Sequence, residues 1–172
     1  MTKSPLMFSL AAATLALGAC SKKAPEQLPP TPVESGTGET APADSAAAAG
    51  PGTQEHFNTA VGATNTTVYF DTDQFELDGE DSGKLQTQAR YFAQYGDVGF
   101  TIEGHADERG TREYNLALGE RRANSAKNYL VSLGIPASRI RTVSYGKEQP
   151  AALGSDEGAW AQNRRAATVV IN

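Results

Sequence analysis

Apolar positions along this chain fall into two regimes. From Ser21 to about Glu55 there is no aromatic residue, and Pro, Ala, Gly, Ser, Thr and Glu dominate. Such a segment buries too little apolar surface to offset its ordering entropy, which predicts a disordered tether. Patterned sequence follows the aromatic Phe57. Thr66-Thr67-Val68-Tyr69-Phe70 is rich in β-branched and aromatic residues and predicts a first strand. Asp78 is placed to cap a helix in which Leu85, Ala89, Phe92 and Ala93 recur at helical spacing as far as Tyr95, with Gly96 ending it. Val98 to Glu103 alternates as a strand does. A long helix then carries Leu116, Ala123, Ala126, Leu130 and Leu133 on one face and closes at Gly134, with Pro136 beyond. Ile140 to Tyr145 predicts a third strand, Glu157 to Asn163 a short helix, and Ala167 to Ile171 a last strand. Phe92, Phe100, Leu116 and Leu130 are expected in the core. Strands alternating with helices predict a layered fold, helices packed on a sheet.

The first residues have a different pattern. Lys3 precedes an apolar run from Leu6 to Leu17, about a dozen residues where a bilayer span needs roughly twenty. A positive start and a short apolar middle make the layout of a secretory signal. Leu17-Gly18-Ala19-Cys20 resembles a bacterial lipobox, and Cys20 is the sole cysteine of the chain. That resemblance implies cleavage before Cys20 and acylation of it, palmitate included. Two or more acyl chains hold a protein firmly to a membrane. Ser21, rather than Asp, after the cysteine implies delivery to the outer membrane. The expected organisation is a signal peptide over 1–19, a lipidated N-terminus and tether over 20–57, and a domain over 58–172. A tether of about thirty-five residues would reach on the order of 100 Å when extended.

Composition narrows the chemistry. A formal net charge of -5 argues against a general nucleic-acid binder. One cysteine permits no intrachain disulfide and no multi-cysteine zinc site. His105-Ala106-Asp107 has the look of a metal motif, yet there are only two histidines and no G-x-S-x-G turn. Neither an enzyme, nor a cofactor, nor a metal site is expected.

Glu103-Gly104-His105-Ala106-Asp107-Glu108-Arg109-Gly110 is followed by Tyr114-Asn115-Leu116-Ala117-Leu118-Gly119-Glu120-Arg121-Arg122-Ala123. With Val68-Tyr69-Phe70-Asp71, Val143 to Pro150 and Asn163-Arg164-Arg165, this closely resembles the peptidoglycan-binding lipoproteins of the OmpA-like domain family, from about residue 66 to 172. The resemblance implies an α+β fold, a mixed sheet in the order β/α/β/α/β(α)β with helices on one side. It also implies a ligand, the diaminopimelate of peptidoglycan stem peptides, which bears an ammonium and a carboxylate. Asp107 matches the family's ammonium-binding aspartate and Arg122 its carboxylate-binding arginine, whose fixed fork suits a carboxylate. Asp73 matches a further polar contact, Leu118 a pocket wall, and Arg164 and Arg165 a pair of which either one could face the site. Thr72 departs from the family, which often has an aromatic residue there. The implied partners are TolB and other Tol components, in a role at envelope constriction during division. Simpler readings stand beside these. Asp107 and Arg122 could form a structural ion pair or caps, Asn163-Arg164-Arg165 could be a stabilising hydrogen-bond set, and the domain could serve protein contacts alone.

Overall fold

The computed structural model describes residues 50–171. The signal segment, the lipobox with Cys20 and the tether as far as residue 49 lie outside the described residues. The elements are α1 (Gln54–Val61), β1 (Thr67–Tyr69), α2 (Gly79–Gln94), β2 (Gly99–His105), α3 (Arg112–Ser132), β3 (Ile140–Gly146), α4 (Glu157–Asn163) and β4 (Arg165–Ile171). Short 3-10 turns precede β1 and β3.

The expected domain start at residue 58 falls inside α1. Thr53 caps this helix by accepting from the His56 N–H, and Phe57 is fully buried. The Phe57 ring stacks on Phe92 at 5.1 Å, and Phe92 in turn stacks on Phe100 at 3.7 Å. Only Phe57 and Val61 of α1 are buried, too sparse a pattern to stand out in a polar stretch. Tertiary stacking supplies what the local sequence lacks.

The strands form one sheet in the order β1-β4-β2-β3. β4 runs antiparallel to both β1 and β2, and β2 runs parallel to β3. This is the mixed sheet of the α+β expectation. Val68, Phe100, Ile102, Gly104, Ala166, Thr168 and Val170 are buried and alternate with more exposed neighbours. α2 and α3 pack over that inner face.

α3 comes closest where two glycines meet. A Cβ on Gly104 would overlap the Gly119 carbonyl, and one on Gly119 would lie 2.7 Å from the Gly104 carbonyl oxygen. The seam of α3 differs from the face expected for it. Leu133 is exposed and Leu116 only half-buried, whereas Asn115, Leu118, Gly119 and Arg122 are buried. Leu133 lies past the last helical residue, where it no longer meets the sheet.

Candidate functional site

Two loops meet at the end of the sheet where β1 and β2 stop. One joins β1 to α2 (70–78), the other joins β2 to α3 (106–111). Asp73 in the first loop adopts a left-handed backbone, φ 58°, which aspartate tolerates better than most residues. In the second, Gly110 turns the chain at φ 87°. Thr111 caps α3 by accepting from the Tyr114 N–H at 3.2 Å, and Asn115 Nδ2 donates to the Arg109 carbonyl at 2.7 Å. Lys147 Nζ donates to the Gly110 carbonyl at 2.7 Å, so the turn is fixed from both sides.

Arg122 enters from α3, one helical turn after the buried Leu118, and is 0% exposed. Its Nε donates to the Gln74 carbonyl at 2.9 Å, Nη1 to the His105 carbonyl at 2.8 Å, and Nη2 to the Asp71 carbonyl at 3.1 Å. The guanidinium lies 5.3 Å from the Phe70 ring centre. It therefore ties the first loop to the end of β2. Burial pulls its pKa down to about 10, with the Asp107 charge opposing that fall, so it stays a cation at neutral pH.

Asp107 is 7% exposed and surrounded by arginines. Oδ1 accepts from the Arg109 backbone N–H and from Arg109 Nε, each at 3.1 Å, and Oδ2 accepts from Arg109 Nη2 at 2.7 Å. Arg164 Nη1 stands 3.6 Å from Oδ2. Burial alone would push the Asp107 carboxyl up, but the Arg109 hydrogen bonds and the Arg109 and Arg164 charges outweigh it and hold it below its ordinary range.

The two arginines left open by the sequence go to different places. Arg164 is 6% exposed, donates from Nε to the Phe70 carbonyl at 2.9 Å and from Nη2 to Glu157 at 2.7 Å, and faces Asp107. Arg165 begins β4 and points to the opposite face of the sheet from its buried neighbour Ala166. There its Nη2 donates to the Gln149 carbonyl at 3.3 Å, and Glu103 and Tyr69 lie close. Arg165 thus does not join the Asp107 cluster. Asp73 is exposed at the mouth, where its Oδ1 accepts from the Tyr114 hydroxyl at 3.2 Å.

Residues that sequence reasoning did not single out complete the cluster. Arg109 forks onto Asp107, Trp160 of α4 lies 4.2 Å beneath its guanidinium, and Tyr114 and Glu157 bond Asp73 and Arg164. One signal could have found Arg109. An aspartate commonly accepts from a backbone N–H two residues on, which places the next-but-one side chain over it. A groove of about 660 Å³ runs alongside, lined by Tyr69, Asp71, Glu76, Glu80, Lys84 and Arg164 among others. Asp107 and Arg122 do not line it.

The OmpA family model matches residues 69–164. The peptidoglycan-associated lipoprotein of Rhizobium meliloti strain 1021 is 46% identical over 170 residues, 99% of this chain and 89% of that protein. This chain belongs to the peptidoglycan-associated lipoprotein family and carries its OmpA domain. The peptidoglycan-associated lipoprotein of Agrobacterium fabrum strain C58 is 43% identical over the same shares of both chains. The crystal structure of the peptidoglycan-associated lipoprotein from Burkholderia pseudomallei matches with a TM-score of 0.60 and 44% identity, covering 62% of this chain and 90% of that one. Peptidoglycan-associated lipoproteins are not enzymes, and this member is a non-catalytic protein of the envelope.

Proposed function

We propose that this chain is a lipoprotein of the outer membrane, acylated at Cys20, whose domain grips peptidoglycan without a covalent bond. Its periplasmic domain takes the diaminopimelate of the stem peptide, so the wall is held to the membrane across the N-terminal tether. One observation carries this reading: a buried carboxylate, Asp107, lies among the buried guanidinium groups of Arg122 and Arg164 at one mouth. A group bearing both an ammonium and a carboxylate is the natural complement of such a mouth. Asp107 would take the ammonium. Three of Arg122's five N–H groups serve backbone carbonyls, leaving one on each terminal nitrogen for a carboxylate. Leu118 would line the floor and Asp73 the rim. The names borne by the relatives support the wall as target.

The same reading places the protein in the Tol-Pal system, with TolB and other Tol components as partners and a role in envelope integrity and constriction at division. A protein-interaction module alone is the competing reading. Sedimentation of the full-length chain in detergent with purified peptidoglycan separates them. Wild type should pellet with the wall, and Asp107→Ala and Arg122→Lys, shown folded by circular dichroism, should stay in solution. Equal pelleting of all three would move the wall contact away from this cluster. No pelleting at all would favour a purely protein-binding role.

A further inference from the structure

The carboxylate meant for an ammonium is already taken. Arg109 supplies every hydrogen bond recorded to Asp107, two on Oδ1 and one on Oδ2. An ionised carboxylate has about four acceptor positions. The fourth faces Arg164 Nη1, which is 3.6 Å from Oδ2 and is buried without any hydrogen-bond partner. Arg109 thus fills three of the carboxylate's roughly four positions, while Arg164 Nη1 and the two spare N–H groups of Arg122 await an acceptor. A ligand ammonium and carboxylate would reverse both conditions.

Arg109 is built to leave. Its side chain is 40% exposed, and its other holds are surface ones: Nη2 to the Thr72 hydroxyl at 3.3 Å, and the Trp160 ring at 4.2 Å. Trp160 is itself positioned by donating from Nε1 to Glu108 at 3.1 Å. The contact with Thr72 bridges the two loops across the mouth, beside the second bridge from Tyr114 to Asp73. Arg122 beneath is fully enclosed, so a carboxylate reaches it only when the mouth opens.

We propose that Arg109 is a built-in competitor that sits in the ammonium's place on Asp107, and that a cationic ligand must displace it to enter. This rests on the stem-peptide reading above and adds to it a closed resting state. The closed state costs affinity in proportion to its population. A partly exposed ion pair biases such an equilibrium only modestly, about two- to fivefold. Weak closure of this kind lowers affinity only by that factor and is readily offset by a ligand that satisfies both Asp107 and the Arg164 and Arg122 donors.

Trp160 is the sole tryptophan of the chain and therefore reports on Arg109 directly. The test is a titration of the full-length chain in detergent with the tripeptide L-Ala-γ-D-Glu-meso-diaminopimelate, followed by Trp160 emission and by calorimetry. In wild type, binding should change the emission as the guanidinium leaves the indole. Arg109→Ala and Arg109→Gln should start from a shifted emission, show little further change, and bind the tripeptide about two- to fivefold tighter. Weaker binding by both variants would make Arg109 a ligand contact and overturn the proposal. Unchanged affinity with unchanged emission on titration would overturn it as well. Asp107→Ala separates the two readings: if it binds the tripeptide like wild type, the stem-peptide site itself is misplaced, whatever Arg109 does.

Discussion

Replacing Arg122 by alanine removes a side chain that is 0% exposed and strips donors from three backbone carbonyls, those of Asp71, Gln74 and His105. The His105 carbonyl belongs to a residue buried at the end of β2 and has no solvent to turn to, whereas Asp71 and Gln74 lie on exposed loop residues that water can reach. An unpaired buried acceptor costs about 1–3 kcal/mol, and the space left by the side chain adds to that. The cost of burying a cation, visible in a pKa pulled down to about 10, offsets part of the loss. The sum is about 3–5 kcal/mol of destabilisation. With a urea slope of about 1–3 kcal/mol per molar for a domain of this size, the unfolding midpoint should fall by about 2 M. Arg122→Lys keeps the charge and can serve one carbonyl, so it should fall in between. Equilibrium urea denaturation followed by far-UV circular dichroism measures both. An alanine variant within about 1 kcal/mol of wild type would refute the assignment of Arg122 as the post between the two loops. In that case its hydrogen bonds to the backbone would count for little beside the ligand-binding part proposed for it.

Further outcomes follow from the same geometry. His105 is 1% exposed and stacks on Tyr145 at 5.5 Å, and burial, helped by the Arg165 charge and opposed by the Gln149 backbone, lowers its pKa to about 4. The unfolded chain takes up that proton first as pH falls, so stability should drop between about pH 6.5 and 4, by up to about 3 kcal/mol, and a His105→Phe variant should lose that slope in denaturation curves run across the range. Asp107, held below its ordinary value of 3.8, contributes stability above that value and loses it as pH falls below. Sedimentation with peptidoglycan should therefore fail in strong acid and weaken with salt, and binding indifferent to both would count against charge pairing. Gly104→Ala sets a methyl group against the Gly119 backbone and should cost about 3 kcal/mol or more, read as a fall in melting temperature, with binding lost in parallel as α3 and Arg122 are pushed off β2.

Much of this protein was legible from residue order. The alternation in β2, the cap at Asp78 and the helical spacing in α2 are local features, and the structure places elements where they predict them. The motifs around Asp107 and Arg122 likewise pointed to a family with an acid and a base at one mouth. Three matters needed the tertiary structure. Phe57 reads as the edge of a polar tether until the Phe92 and Phe100 rings stack beside it, because a short helix is stabilised by what it packs on rather than by its own propensity. Arg164 and Arg165 are adjacent and chemically alike, and only the register of β4 sends one to Asp107 and the other to the far face of the sheet. Arg109 lies beside Asp107 in the chain, yet its hold on that carboxylate depends on Thr72 and Trp160, which are 37 and 51 residues away in sequence. Local patterning dictates elements since it acts through neighbouring backbone, while the partners of a charge are set by which distant surfaces the fold brings within a few ångströms.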